Sequence, residues 1–217
     1  MKDPEVHDAV KILRKEIQQW KIPVIGIVAQ SKDPFLVLVS TILSLRTKDA
    51  TTAAGSKRLF KLARTPAALA ALPVRRIETA IYPVCFYRVK ARTLKALAAD
   101  LLNRYDGRVP DSIDELLTLK GVGRKTANLV VTLGFNKPGI CVDIHVHRIS
   151  NRWGYVKTGT PEETESVLRQ KLPAPYWNIY NDLLVTYGQN LCTPVSPWCS
   201  RCKLERFCAK AGVARTR

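Results

Sequence analysis

Apolar side chains recur every three to four positions along most of this chain, which is the spacing that places them on one face of an α-helix. Residues 35–45 are apolar almost all round, and this composition predicts a central buried helix. No segment alternates apolar and polar positions convincingly enough to predict a strand. The N-terminal stretch shows the helical period most clearly, through Val6, Ala9, Val10, Leu13, Ile17 and Trp20. The pattern therefore predicts an all-α protein.

Short polar residues followed by proline mark where several of these helices begin, because such side chains cap the first amides and proline is tolerated in the first turn. Asp49 is placed to cap a helix over residues 50–62. A loop is predicted at residues 82–88 because Pro83 ends the helix before it. Four starts have the polar-proline form: Asp3-Pro4, Asp33-Pro34, Thr65-Pro66 and Thr160-Pro161. Further helices are predicted over residues 90–105, 144–153, 161–171 and 177–191.

Two predicted helices, residues 113–119 and 126–135, are separated by a short turn that contains Gly121 and Gly123. Glycine at these positions permits positive φ angles and lets another backbone approach closely. The turn delivers Arg124 and Lys125 into the first turn of the second helix, where the helix dipole disfavours cations and favours an anion. Cations and amide groups at one point fit a nucleic-acid phosphate. An ordinary helical hairpin with two surface cations is the alternative.

The charge balance also indicates a polyanionic partner. The chain has 35 Lys and Arg against 18 Asp and Glu, a formal net charge of +17 and a pI near 9.9. Such a chain suits nucleic acid or an anionic membrane surface. No apolar run approaches the roughly 20 residues that cross a bilayer, and residues 1–5 lack the apolar region of a signal peptide. We therefore expect a cytoplasmic, nucleoid-associated monomer that does not bind membranes.

Four of the six cysteines lie near the C-terminus with the spacing Cys-x6-Cys-x2-Cys-x5-Cys: Cys192, Cys199, Cys202 and Cys208. In a cytosolic protein such a group binds metal more often than it forms disulfides. On chemistry alone, four thiolates suit tetrahedral zinc and a [4Fe–4S] cluster equally well. Of the other two, Cys141 is predicted to be a small buried hydrophobe, whereas Cys85 lies in a candidate DNA-facing loop.

The turn and its flanks resemble the helix-hairpin-helix of the endonuclease III family of base-excision DNA glycosylases, through Leu119-Lys120-Gly121-Val122-Gly123-Arg124-Lys125-Thr126-Ala127. The resemblance covers nearly the whole chain, and the cysteine spacing is that of the family's iron–sulfur loop. It implies a bifunctional DNA glycosylase and AP lyase that acts on oxidised pyrimidines, with double-stranded DNA containing damaged bases or abasic sites as partner and a [4Fe–4S] cluster on the four cysteines.

The same resemblance implies the helix-hairpin-helix DNA glycosylase fold, in which two helical domains enclose the DNA-binding and catalytic cleft. A six-helix domain that carries the hairpin would comprise residues 27–137. Residues 1–26 and 138–217 would form the second domain, which ends in the iron–sulfur loop.

Family members use the lysine after the hairpin as the catalytic amine, and a downstream aspartate assists it; Lys125 and Asp143 match these residues. The neutral amine attacks C1′ of the sugar, expels the base and forms a Schiff base, after which β-elimination cuts the strand 3′ to the lesion. Asp143 would take the proton from Lys125 or stabilise positive charge on the sugar, and it can also cap the helix that follows. Ser44, Asp49 and His145 are weaker candidates for the base pocket.

A base must leave the stack before it is excised, and family members fill the resulting space from two loops. The first matches residues 44–49 and carries Arg46 where many relatives have glutamine. Arginine offers only donors, which suit a guanine opposite the lesion or, alternatively, a phosphate. The second matches residues 84–90, with Phe86 as the wedge beside Tyr87 and Arg88; packing in the core between the two domains is the alternative for the two aromatic rings.

The family pattern assigns Gly121, Gly123 and Arg124 of the hairpin to DNA binding. This chain departs from that pattern at Ile144, where relatives usually have a threonine that braces the helix start.

Two other functions remain open from the sequence. One is a monofunctional glycosylase of the same superfamily that acts on adenine or on mismatched uracil or thymine, but such relatives generally lack the hairpin lysine. The other is a non-catalytic helix-hairpin-helix DNA-binding protein, which would be expected to have lost Lys125 or Asp143. Both residues are present, so we expect an enzyme.

Overall fold

The fold is that of a computed structural model, which describes residues 1–20 and 33–217. These residues contain eleven α-helices and no β-strand, which confirms the all-α prediction. None of the helices in these two ranges has the length and apolar character needed to cross a membrane. The helices are α1 Glu5–Glu16, α2 Pro34–Ser44, α3 Asp49–Leu62, α4 Pro66–Ala71, α5 Val74–Ile81, α6 Tyr87–Tyr105, α7 Ile113–Leu117, α8 Arg124–Leu129, α9 Ile144–Arg152, α10 Pro161–Lys171 and α11 Trp177–Asn190.

The chain forms two compact units. One consists of Met1–Pro23 and Pro138–Arg217, and the other of Val24–Lys137. The described part of the second unit holds the seven α-helices α2 to α8, rather than six. The boundary predicted between residues 26 and 27 lies outside the described residues, and it stays a prediction.

Helix α2 forms the centre of the Val24–Lys137 unit, because all nine residues from 35 to 43 are buried. It begins where predicted: Asp33 Oδ1 accepts hydrogen bonds from the amides of Phe35 at 2.9 Å and Leu36 at 3.2 Å. These bonds satisfy amides that have no partner within the helix. Burial of each large aliphatic side chain stabilises the fold by about 1.5–3 kcal/mol, so the apolar composition of this segment accounts for its central place.

The other unit has its own core, formed by α1, α9, α10 and α11 together with the segments between them. The apolar stripe of α1 is buried as its period predicted, although the α-helix ends at Glu16 and a 3₁₀ turn, Ile17–Gln19, follows. Four large aromatic side chains are almost completely buried in this core: Trp153, Tyr155, Tyr180 and Tyr187.

Several predicted helix boundaries differ from the structure. Asp49 is the first residue of α3 and Lys48 takes the N-cap position, so the capping prediction for Asp49 is wrong. The loop predicted over residues 82–88 ends at Phe86, because the left-handed backbone of that residue turns the chain directly into α6. The second hairpin helix begins at Arg124 rather than residue 126, and after Leu129 it continues as a π-helical segment, Val130–Gly134.

Candidate functional site

The hairpin turn is anchored to the core of its unit on both sides. Helix α7 begins with Ser112 as its N-cap, whose Oγ accepts from the amide of Glu115 at 3.3 Å and donates to the Glu115 carboxylate at 2.7 Å. In the turn itself, Leu119 and Val122 are buried, and the amide of Val122 donates to the carbonyl of Leu119 at 3.1 Å. Two apolar side chains therefore hold the backbone between them at the surface.

The two glycines of the turn have different structural roles. Gly121 has φ of +81°, and a Cβ atom at this position would lie 2.4 Å from Thr93 Cγ2. Gly123 has extended backbone with φ of −97°, and a Cβ there would meet no atom of the described residues within 4 Å apart from its chain neighbours. The fold therefore requires glycine at 121, whereas Gly123 leaves an open approach to the backbone.

Arg124 and Lys125 occupy the first turn of α8, with Gly123 as the N-cap residue. Arg124 is exposed and Lys125 is half-buried, and the residues that follow them in α8 are buried. The carbonyl of Arg124 accepts a hydrogen bond from Asn128 Nδ2 at 3.1 Å. The buried part of the helix thus holds the two cationic residues at its start.

Asp143 is buried, with 8% of its surface exposed, and it caps α9. Its Oδ1 atom accepts from the amides of His145 at 2.9 Å and Val146 at 3.0 Å, so the capping prediction is confirmed. Ile144 is 67% exposed. Asp143 belongs to the unit that contains both termini, and Lys125 belongs to the other.

The three weaker pocket candidates have varied surroundings. Ser44 Oγ donates to the carbonyl of Thr41 at 2.8 Å, within α2. Asp49 is half-buried at the start of α3. The Nδ1 atom of His145 lies 3.1 Å from Nη2 of Arg148, which also donates to the carbonyls of Gly188 and Cys192. Ser44 and Asp49 flank one loop, and His145 lies in the other unit.

Two exposed residues stand at the tips of the two predicted DNA-facing loops. We call residues 45–48 the first loop and residues 82–86 the second loop. Arg46 in the first and Phe86 in the second are both exposed, and both have left-handed backbone, with φ of 54° and 56°. Phe86 is 57% exposed.

The residues after Phe86 are in a different environment. Tyr87 is half-buried and packs on the core of its own unit. It meets Tyr82 edge to face with ring centroids 5.3 Å apart. The guanidinium of Arg88 lies 5.5 Å from the Tyr87 ring, which is within the range of a cation–π interaction.

Lys90 is a site residue to which the sequence analysis assigned no role. It is buried on α6, and its Nζ donates to the carbonyls of Leu43 and Leu45. Burial lowers the pKa of Lys90 to about 8, against a smaller opposing effect of Cys85. A signal was available in the sequence, because position 90 lies on the helical stripe that continues through Leu94, Leu97 and Leu101.

The four C-terminal cysteines line a single cavity in their unit. Burial raises the pKa of the thiols of Cys199, Cys202 and Cys208. Apolar side chains complete much of the wall: Trp153, Leu191, Trp198 and Val213. Among the described residues, no group of three or more His, Cys, Asp or Glu side chains is arranged to hold a metal ion.

Hydrogen-bond donors approach the sulfur atoms of this cavity. Arg152 Nη1 donates to Cys192 Sγ at 3.5 Å, and the amide of Lys210 donates to Cys208 Sγ at 3.3 Å. The hydroxyl of Tyr187 lies 3.0 Å from Cys202 Sγ. The remaining cysteines lie elsewhere: Cys141 is 2% exposed, as predicted, and Cys85 is exposed.

Comparison with known proteins assigns the chain to a class. Residues 39–174 match the family described as HhH-GPD superfamily base excision DNA repair protein. The chain therefore belongs to the HhH-GPD superfamily of base excision DNA repair proteins, in agreement with the hairpin and the all-helical fold.

Within this superfamily its similarity is to endonuclease III. It is 49% identical to endonuclease III of Thermotoga maritima over 176 residues, which cover 81% of this chain and 83% of that protein. Endonuclease III of Bacillus subtilis is 36% identical, with 81% of each chain covered. The structure of a trapped endonuclease III–DNA covalent intermediate superposes with a TM-score of 0.84 at 32% identity, over 97% of both chains. Endonuclease III homologues are DNA glycosylases with AP lyase activity, so this chain is a base-excision-repair enzyme of that type.

The different roles of the two hairpin glycines lead to a test of stability. Gly121→Ala should reduce the free energy of unfolding by about 1–3 kcal/mol, because alanine is strained at this φ and its Cβ clashes with Thr93. Gly123→Ala is the matched control and should change it by less than about 0.5 kcal/mol. Urea denaturation followed by circular dichroism measures both, and equal losses would contradict the assignment.

Proposed function

We propose that this chain removes oxidised pyrimidines from double-stranded DNA and then cuts the strand by β-elimination, with Lys125 as the nucleophile. The observation that supports this most strongly is the position of Lys125, half-buried in the first turn of α8 directly after the open backbone at Gly123. The net charge of +17 suits a polyanionic partner. In this proposal a monomer acts at the nucleoid in the cytoplasm, on DNA that contains damaged bases or abasic sites.

The proposed reaction starts from the neutral amine of Lys125. Its nitrogen bonds to C1′ as the glycosidic carbon–nitrogen bond breaks, and the base leaves with the electron pair of that bond and takes up a proton. Opening of the sugar ring gives a Schiff base between Nζ and C1′. Loss of a proton from C2′ then breaks the bond between C3′ and its phosphate oxygen, which cuts the strand on the 3′ side.

We propose that Asp143 assists the attack. The amides of His145 and Val146 hold its carboxylate in one orientation. A fixed carboxylate stabilises positive charge that develops on the sugar, without the cost of reorienting during the reaction. It is also able to accept the proton that Lys125 must lose before or during attack.

The remaining candidates are proposed DNA contacts. The amides around Gly121 and Gly123, with the side chain of Arg124, would bind a backbone phosphate. The exposed side chains of Arg46 and Phe86 would occupy the space left by the flipped base. Neighbouring roles are proposed for Tyr87 and Arg88 as DNA contacts and for Ser44, Asp49 and His145 as pocket residues.

The cysteine cavity fits a cofactor ligated by sulfur. Its four thiols are soft ligands, and the donors from Arg152, Tyr187 and Lys210 would stabilise thiolate charge. We propose that Cys192, Cys199, Cys202 and Cys208 bind a [4Fe–4S] cluster. When bound, the cluster would join Cys199, Cys202 and Cys208 of the C-terminal segment to one another and to Cys192, which follows the end of α11. No catalytic step is assigned to the cluster.

The assignment of Lys125 is tested by covalent trapping. Lys125→Gln should give no adduct with abasic-site DNA in the presence of borohydride and no strand cleavage, because an amine is required for the Schiff base. Binding to the same DNA should fall only modestly, since one charge among many is lost. Lys120→Gln removes an equivalent charge from the exposed part of the same hairpin, and it should trap normally.

The outcome also separates the alternative functions. An adduct that persists in Lys125→Gln would show that another amine is the nucleophile. Base release by the wild type without any trapped adduct would identify a monofunctional glycosylase. DNA binding without base release or cleavage would identify a non-catalytic protein.

The role of Asp143 is separated from its capping role by an amide substitution. Asn is a good N-cap residue, so Asp143→Asn should keep the stability of α9 but slow base release by about 10² to 10⁴. Asp33→Asn is the matched control, because Asp33 caps α2 through the same kind of bonds, and it should leave the rate unchanged. A single-turnover rate for Asp143→Asn equal to that of the wild type would show that the residue is a cap only.

The cluster proposal is tested by metal analysis. Protein purified without oxygen should be yellow-brown and contain about four irons per chain. Cys202→Ser should lose the colour and the iron, whereas Cys85→Ser, which changes an exposed cysteine outside the cavity, should keep both. A colourless protein with one zinc per chain would show that the four cysteines form a zinc site instead.

A further inference from the structure

Every N–H donor of the Lys90 ammonium group forms a hydrogen bond with the first loop or with the end of α2. Its Nζ donates to the carbonyl of Leu43 at 2.8 Å, to the carbonyl of Leu45 at 2.6 Å and to Thr47 Oγ1 at 3.2 Å. An ammonium group has three N–H donors, and each has an acceptor here. The last carbonyls of a helix lack partners within the helix and favour a nearby cation, so this arrangement stabilises the point where α2 ends and the first loop begins.

The hydroxyl of Thr47 connects this lysine to the second loop. Besides accepting from Lys90, Thr47 Oγ1 accepts from the amide of Cys85 at 3.2 Å and donates to the carbonyl of Leu45 at 3.2 Å. A hydroxyl has one proton to donate and two lone pairs to accept with. All three are used, so the hydroxyl forms a direct bridge between residues that are 38 positions apart in the chain.

The bridge lies next to both loop tips. Arg46 stands between two residues that the Lys90 network holds, and Phe86 directly follows Cys85. Both tips have left-handed backbone. Residues other than glycine rarely adopt this conformation unless the surrounding structure enforces it. A third support is Arg58 on α3, which donates to the carbonyls of Ala80 and Tyr82 beside the second loop.

We propose that Lys90 is a positioning residue that, through Thr47, joins the first and second loops into one rigid element, so that Arg46 and Phe86 engage DNA together. This inference rests on the proposed function, because it assumes that both loops contact DNA. Lys90 itself touches neither DNA nor substrate in this account. Its burial, which lowers its pKa to about 8, leaves it predominantly protonated at neutral pH and able to make all three bonds.

Hydrogen exchange at the backbone amides tests the coupling without reference to activity. Lys90→Met keeps the length of the side chain but removes all three donors, and it should speed exchange in both loops by about tenfold or more. Thr47→Val removes only the bridge and should speed exchange at Cys85 and its neighbours. The double variant should be no more mobile than Lys90→Met alone, since the two changes break one network.

Lys95→Met is the matched control. Lys95 lies on the same helix and also donates to two backbone carbonyls, that of Ala70 in the last turn of α4 and that of Leu72 in the connection from α4 to α5. The same chemical change there should leave exchange in the first and second loops unaffected, even if it lowers overall stability by a similar amount.

The positioning role is read from the kinetics of the full-length enzyme. Single-turnover base excision by Lys90→Met and by Thr47→Val should slow by about 10- to 100-fold, as expected for misplaced groups around a reacting centre. Affinity for undamaged duplex should stay within about twofold, because the cations that contact phosphate are unchanged. Excision by Lys95→Met should match the wild type.

The outcomes separate this inference from the proposed function. In Lys90→Met, faster exchange in only one loop, or in neither, overturns the coupling whatever the activity. Faster exchange in both loops with unchanged excision overturns the positioning role. If Lys90→Met does not fold, Thr47→Val decides the coupling through the exchange of the second loop. Failure of the proposed function itself would be seen in the wild type, as an absence of base excision.

Discussion

The close approach of Gly121 to Thr93 is the contact that fixes the hairpin turn within the Val24–Lys137 unit. It leaves no room for a Cβ atom, and it attaches the hairpin to α6, the longest helix at 19 residues. The same helix also holds neighbouring segments of this unit: Lys90 bonds to the first loop, and Lys95 bonds to the connection from α4 to α5. One rigid helix therefore organises the hairpin and both loops.

Both proposed catalytic residues lie at the start of a helix. Lys125 lies in the first turn of α8 and Asp143 occupies the N-cap of α9, so each proposed catalytic group is fixed where a helix leaves amides without partners. Helix α8 is buried beyond its first turn, and α9 is buried along one face. A group at the start of a buried helix combines a fixed backbone with access to a ligand, which is what positioning for covalent chemistry requires.

Much of the fold was predictable because its signals are local. The caps at Asp33, Ser112 and Asp143 each bond to amides two or three residues ahead, and such short-range bonds follow directly from the order of residues. Predictions were less accurate where several local solutions compete. Asp49 is already the first residue of α3, so it cannot occupy the cap position before it. Helix α6 begins at Tyr87, directly after the left-handed Phe86, whereas the break at Pro83 had predicted a later start.

By itself, the sequence determined the all-α class, the hairpin, the candidate residues Lys125 and Asp143 and the group of four cysteines, because each is written in contiguous or regularly spaced residues. Only the tertiary structure decided that Phe86 is exposed while Tyr87 packs on the core, and that Lys90 bonds to carbonyls 45 and 47 positions away. Every residue has a backbone carbonyl, so no sequence motif shows which carbonyl will accept a hydrogen bond from a distant side chain. Which carbonyl a buried lysine reaches depends on how its helix packs, and packing is a property of the whole fold.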